Sequence, residues 1–195
     1  MRQAIIRAWV GIPLSLFALS SVGSEDAPAA VTAAPGAAGS GLAVNTAVIS
    51  VGADTWTFSM SGGHGTMCKS KMMGNKDGIT AMGNEIGPDG APLPRGARLE
   101  MNVYPEDWTP RGTQSHSIKI IGPGDDADWN TATPTLIKKN PEISDLTRAV
   151  VHDWSFRGGW AAGTATFYLK DSLSRAQTGG DLVLVDGSFE VSCSP

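Results

Sequence analysis

Residues 64–73 read HGTMCKSKMM, which puts the imidazole of His64, the thiol of Cys68 and the thioethers of Met67, Met72 and Met73 within ten positions. Soft sulfur beside imidazole is the ligand set that copper prefers. The spacing matches no standard ligand motif, however, and methionine also fills irregular gaps around a strand. Packing around a disulfide-bonded strand is therefore the expectation, with a soft-metal site as the alternative. A second cluster, Asp125, Asp126, Asp128 and Asn130, offers oxygens in an Asp-x-Asp-x-Asn order. A calcium loop of that kind needs a turn glycine and a closing bidentate acid, and here Thr131 and Ile137 stand in those places. The segment reads as a solvated acidic loop. Asn75, Asp77, Asn84, Glu85 and Asp89 lie in another Gly-rich stretch and read as turn chemistry.

Hydrolysis would need a nucleophile, a base and an orienting group, and His64, His116 and His152 are the only histidines. Ser61 before Gly62-Gly63 is the nearest thing to an exposed nucleophile, but no G-x-S-x-G motif supports it. His116 and His152 fall at inward strand positions by pattern. No enzyme is expected, and a small secreted hydrolase is kept as an alternative. Trp56 and Trp154 sit on apolar strand faces, whereas Trp108 and Trp129 lie in loops beside carboxylates. An aromatic so placed can stack on a sugar ring, which gives a glycan-binding alternative.

The elements that would position these groups follow a leader. Arg2 and Arg7 precede an apolar run at 10–22 that ends in small residues, the pattern of a signal peptide over 1–24. The expected localisation is secreted or periplasmic. No cysteine lies between 20 and 26, so a lipid anchor there is not expected, and no later run is long and apolar enough to span a bilayer. Residues 25–43 are rich in Ala, Pro and Gly and read as a flexible tether. A formal net charge of -4 supplies no excess of cations for phosphate, so nucleic acid is not an expected partner. Lys138 and Lys139 read as a solvated loop or helix start. In an oxidising compartment the two cysteines, Cys68 and Cys193, are expected to pair.

From 44 to 195 apolar residues recur with period two, which predicts strands in a single β-sandwich domain. The segments 45–51 and 54–60 form a hairpin around Gly52-Ala53, with Trp56, Phe58 and Met60 on one face. Leu99, Met101 and Val103 share a face in 98–104, as do His116, Ile118 and Ile120 in the next segment. Val150, His152, Trp154 and Phe156 share another, and 160–169 is a longer strand. Segments 181–185 and 188–193 flank Asp186-Gly187, which suits a two-residue turn, though a bulge fits equally. Asn140-Pro141-Glu142 predicts a short helix ending near Arg148, and 170–177 predicts another, stopped by Gly179-Gly180. The fold class is all-β: an antiparallel β-sandwich or barrel-like fold with one or two short helices.

The tail at 163–193, GTATFYLKDSLSRAQTGGDLVLVDGSFEVSC, resembles the last strands of small exported bacterial antigens of the mycobacterial 19-kilodalton lipoprotein antigen type. Those also finish with a Gly-x-Ala strand, a loop and a Ser-Phe-Glu segment running into a final cysteine. The resemblance implies a non-catalytic, surface-exposed or secreted β-domain and brings no functional residues with it. This chain departs from the pattern by lacking the lipid-attachment cysteine. The expectation is an exported, non-enzymatic β-domain without a cofactor, acting by binding a protein, glycan or small molecule or by surface presentation.

Overall fold

A computed structural model describes residues 41–71, 77–104, 116–123 and 128–195. The expected signal at 1–24, nearly all of the tether at 25–43, and Met72, Met73, Asn75, Trp108, Asp125 and Asp126 lie outside those residues. The strands are β1 (Thr46–Val51), β2 (Asp54–Ser59), β3 (Met67–Lys71), β4 (Asp77–Glu85), β5 (Arg98–Val103), β6 (Ser117–Ile121), β7 (Trp129–Asn130), β8 (Val151–Arg157), β9 (Trp160–Leu169) and β10 (Leu184–Ser192). Helix α1 (Pro134–Lys139) and a 3-10 turn (Ser144–Arg148) follow β7, and α2 (Lys170–Ala176) follows β9.

The order β10-β1-β2-β4-β5-β6-β7-β9 closes on itself where β9 pairs with β10, giving an eight-stranded antiparallel barrel. The sheet thus becomes a barrel and not the two-layer sandwich that the strand pattern equally allows. Closure leaves no free edge among those eight strands. The other two strands branch off: β3 takes the half of the β4 edge that β2 leaves, and β8 takes the half of the β9 edge that β7 leaves.

Alternation explains why these segments form the wall. Ala47, Ile49 and Val51 on β1, Leu99, Met101 and Val103 on β5, and Phe189 and Val191 on β10 point inward and are buried, while their neighbours face out. An eight-stranded barrel has an interior just wide enough for side chains to fill. Phe58, Ile79, Ile118, Ile120 and Phe167 complete that filling. A smaller core lies outside the barrel, where Ala132, Ile143, Leu146 and Ala149 cover Tyr168 together with residues of both helices. Residues 165–168 of β9 are consequently buried on both faces. Cys68 on β3 and Cys193 after β10 form the expected disulfide, with Cα atoms 5.3 Å apart and a sequence separation of 125.

Several local expectations change. Asp186-Gly187 turns no corner: β10 runs straight through it, paired with β1 on one side and β9 on the other. A Cβ at Gly187 would collide with the Ser50 carbonyl and the Phe167 ring, so the glycine serves close strand approach. The stretch holding Asp77, Asn84 and Glu85 is not turn-rich loop but β4, whose Ile79 and Ala81 point inward. The helix expected after Asn140-Pro141 is only the 3-10 turn Ser144–Arg148, which does end at Arg148, and a separate helix, α1, precedes it. Thr133 caps α1 by accepting from the Leu136 amide, and Asn140 ends the helix, its Nδ2 donating to the Leu136 carbonyl at 2.8 Å. Lys138 and Lys139 occupy the last turn, where cations complement the helix dipole. Helix α2 matches expectation, with Gly179 at φ +89° beyond its end.

Candidate functional site

Among the described residues, those that offer the alternatives of metal or hydrolytic chemistry do not converge. His64 is exposed in the Gly62–Gly65 turn, and the Cys68 sulfur is committed to the disulfide, which removes the thiolate a soft metal would use. Among the described residues no three His, Cys, Asp or Glu side chains approach as a metal-binding group would. The Ser61 hydroxyl lies 3.3 Å from the Ser59 hydroxyl and meets no histidine. Asp128 is buried: one carboxylate oxygen accepts from the Gly122 amide at 3.0 Å and the other from Lys170 Nζ at 2.8 Å. Its neighbour Asn130 is buried in β7. Neither belongs to the solvated acidic loop expected there; both are structural.

His116 and His152 have separate surroundings. The His116 ring stacks at a tilt on Trp154, centroids 4.2 Å apart, and its Nδ1 accepts from the Tyr104 amide at 3.2 Å. Trp154 Nε1 donates to the Tyr104 carbonyl at 3.1 Å, so the three residues lock the end of β5 to the start of β6 and to β8. Burial holds the His116 imidazole below its usual range, in keeping with a neutral ring whose Nδ1 must accept. Burial pushes the Tyr104 phenol up. His152 sits outside the barrel, contrary to the alternation pattern, because β8 bulges between Val151 and Trp154 and so changes phase. Its Nε2 lies 2.8 Å from the Thr166 hydroxyl, which donates to Asp186 at 2.7 Å. Since that hydroxyl spends its one proton on Asp186, Nε2 of His152 is the donor in the other bond. This is the reverse of the arrangement in which a base withdraws a nucleophile's proton.

The tryptophans sort differently from their sequence neighbourhoods. Trp56, Trp129 and Trp154 all pack against the barrel core, so Trp129 is no loop platform. Trp160 opens β9 on the opposite face from the inward Ala161 and Ala165. It is half-buried on the outer wall, and its Nε1 donates to Glu190 Oε1 on β10 at 2.9 Å. Sequence reasoning passed over it, although alternation counted back from Phe167 puts position 160 outside.

The ground under Trp160 is braced. Residues 158 and 159 form the β8–β9 turn with positive φ, and a side chain on Gly159 would strike the Cys193 carbonyl. The Cys193 amide donates to the Gly159 carbonyl at 2.7 Å, and the disulfide ties that same residue to β3. The Ser194 amide donates to Asn45 Oδ1 at 3.2 Å, joining the two ends of the described domain. Along the adjoining strands Trp160 pairs with Ser192, Ala162 with Glu190, and Thr164 with Ser188. Compared with protein-family models, curated proteins and solved structures, the chain matches none of them.

Proposed function

We propose that this chain is an exported β-barrel domain that acts by binding or presentation at its outer surface and not by catalysis. The observation that carries the reading is the barrel itself: its lumen is filled by apolar side chains such as Ile49, Phe58, Met101 and Phe167, so recognition falls to the outer wall. Export is supported by the Cys68–Cys193 disulfide, a bond characteristic of oxidising compartments. No helix among the described residues is long and apolar enough to cross a membrane. The likeness of 163–193 to exported bacterial antigens points the same way.

The test is to express the full chain in a bacterial host and weigh the product of each compartment, native and then denatured, with a serine-directed activity probe on a parallel sample. The expected product is outside the cytoplasm, trimmed at its N-terminus, oxidised and unlabelled; any excess mass lost on denaturation identifies what it binds. Retention in the cytoplasm as the reduced full-length chain, or labelling that Ser61→Ala abolishes, would overturn the reading.

A further inference from the structure

We propose that the open edge of β8 is a self-recognition surface, through which two copies of this chain pair antiparallel about a two-fold axis at Ser155. β8 is bonded to β9 on one side, and among the described residues no strand pairs with its other side. An open strand edge is a template for another strand, and proteins blunt it with lysine, proline or bulges. The other branch strand, β3, is blunted in this way by Lys69 and by an irregularity between Lys69 and Lys71. On β8 the bulge comes before Trp154, and Trp154-Ser155-Phe156-Arg157 then runs in regular pairing with neither lysine nor proline.

The direction of the backbone groups on β8 follows from its neighbour. The Leu169 amide donates to the Val183 carbonyl and the Cys193 amide to the Gly159 carbonyl, so odd-numbered residues of β9 turn their polar groups to β10. Even-numbered residues turn theirs to β8, as the Thr166 amide does in donating to the Val150 carbonyl at 3.0 Å. Ser155 and Arg157, opposite Ala162 and Trp160, therefore bond to β9, and the amides and carbonyls of Trp154 and Phe156 point to the open side. With the axis at Ser155, Trp154 of each copy faces Phe156 of the other, and both facing pairs exchange backbone hydrogen bonds in the ordinary antiparallel manner.

The side chains select the partner. Asp153, Ser155 and Arg157 are exposed on the outward face, while Trp154 and Phe156 turn to the core and remain only half-buried. Asp153 and Arg157 stand about 13 Å apart at the usual rise of a strand, too far to meet each other. Among the described residues neither forms an ion pair; Arg157 faces Trp160, whose indole holds Glu190. In a copy paired about Ser155, Asp153 of each chain falls opposite Arg157 of the other, and the half-covered Trp154 and Phe156 cover one another. Opposite charges and aromatic pairs directly across two strands both stabilise the pairing. An axis at Trp154 or at Phe156 sets Asp153 or Arg157 against Ser155 and loses both ion pairs, and a slip of one residue turns every side chain to the wrong face. A strand of another protein would match the backbone, but a second copy carries the reversed charges at the required spacing by symmetry. The edge is also held in advance, since Trp154 Nε1 donates to the Tyr104 carbonyl and its ring stacks on His116, so pairing gives up less entropy. The ladder is short, so the association is reversible and weak. This assembly goes beyond the surface-binding reading, which does not require it.

The protein recovered from expression of the full chain, oxidised at Cys68 and Cys193, is followed by sedimentation velocity over a dilution series that reaches millimolar concentration. The expected result is a reversible monomer–dimer equilibrium that weakens as salt is raised. Asp153→Arg leaves only cations on the outward row of β8 and Arg157→Asp leaves only anions, so each should raise the dimer Kd by about tenfold or more. An equimolar mixture of these two variants should recover the dimer as a mixed pair, which misfolded chains would not do. Ser155→Cys should form an intermolecular disulfide at the axis under mild oxidation, whereas Ser188→Cys, exposed on β10, should not. Monomer at every concentration overturns the proposal, as does a monomer whose native mass includes a foreign peptide. A dimer that both charge variants leave intact and that Ser155→Cys does not cross-link overturns it too, by placing the interface elsewhere. None of these results touches the surface-binding reading, which fails by cytoplasmic retention or by serine-probe labelling.

Discussion

In one row of side chains the wall of β2, β1, β10 and β9 turns Thr57, Val48, Glu190 and Ala162 outward, whereas a row on the wall of β4, β5 and β6 turns out Met82, Glu100 and Lys119. In the neighbouring row of each wall, the first presents Thr55, Ser50, Ser188 and Thr164, and the second Thr80, Asn102 and Ser117. The second wall is internally engaged. Lys119 lies 3.6 Å from Glu100, Thr80 donates to Asn102 at 3.0 Å, and Asn102 donates to Ser117 at 3.3 Å. On the first wall the outward polar groups are mostly small hydroxyls, and the outward Trp160 is bonded to Glu190. Both walls spend polar side chains on themselves, since the Ser50 and Thr55 hydroxyls lie 2.9 Å apart on the first; what differs is that one wall carries an ion pair and the other stands above a disulfide-braced base.

The largest expected effect comes from removing that brace. Replacing both cysteines, Cys68→Ser with Cys193→Ser, is expected to cost about 2–5 kcal/mol in denaturant unfolding, since the closed loop is long and the chain-entropy effect grows with loop length. Amide exchange should rise first in β3, at the end of β10 and in the β8–β9 turn, with the β5–β6 pairing least affected. Equal loosening of both walls would break the comparison, because it would make the disulfide a global clamp and not the support of one surface.

Gly187→Ala probes the hydroxyl wall from within. Its Cβ has no room between β1 and the Phe167 ring, so the strands must separate or the ring must move, at an expected cost of about 1–3 kcal/mol. A variant that melts at the wild-type temperature would show that β10 is not held against β1 as tightly as the pairing implies.

How far the sequence made these walls legible depends on the residues. β1, β2, β5 and β9 could be read because Ile, Val, Leu and Phe alternate there with polar neighbours, and α2 because Gly179-Gly180 stops it. β4 was hidden by Gly78, Gly83, Asn84 and Glu85, residues of turn chemistry that also suit a strand where neighbours crowd it. At Gly83 a Cβ would come within 2.9 Å of the Ser59 carbonyl. Thr133-Pro134 and Asn140-Pro141 carry the same helix-start signature; the first opens α1, whose Leu136 and Ile137 pack against the second core, and the second is followed only by the 3-10 turn Ser144–Arg148. Closure was out of reach, because β1 and β10 meet from opposite ends of the domain and no local pattern records that meeting. Of the candidate site, Trp160 was readable by counting phase, but its tie to Glu190 needs the register of two strands separated by α2.

The charged wall's polar end offers a pH test. Burial lowers the His116 value, so between the folded value and about 6.5 the unfolded chain binds a proton that the folded chain refuses. Stability therefore rises with pH across that window and is lost as pH falls below about 6.5. Melting temperature followed from pH 7.5 to 5 should show the decline, and His116→Gln should flatten it. A variant that keeps the full decline would assign the proton uptake to another group and free the Tyr104–His116–Trp154 lock from any part in it.

The smallest effect, and the sharpest test of the contrast, concerns the Lys119–Glu100 pair. Both side chains are substantially exposed, at 49% and 38%, and the separation of 3.6 Å is long for a hydrogen-bonded ion pair. Water and salt screen such a pair, and ordering two long side chains offsets most of its Coulomb gain. A double-mutant cycle with Lys119→Gln and Glu100→Gln should return a coupling of about 0.5 kcal/mol or less, vanishing at high salt. That small number is what the comparison requires. If the charged wall is self-engaged without being strongly stabilised, its charges serve solubility, and the barrel's stability resides in its core and its disulfide. A coupling several times larger, persisting in salt, would make the charged wall a structural element in its own right, and the contrast between the two walls would have to be drawn elsewhere.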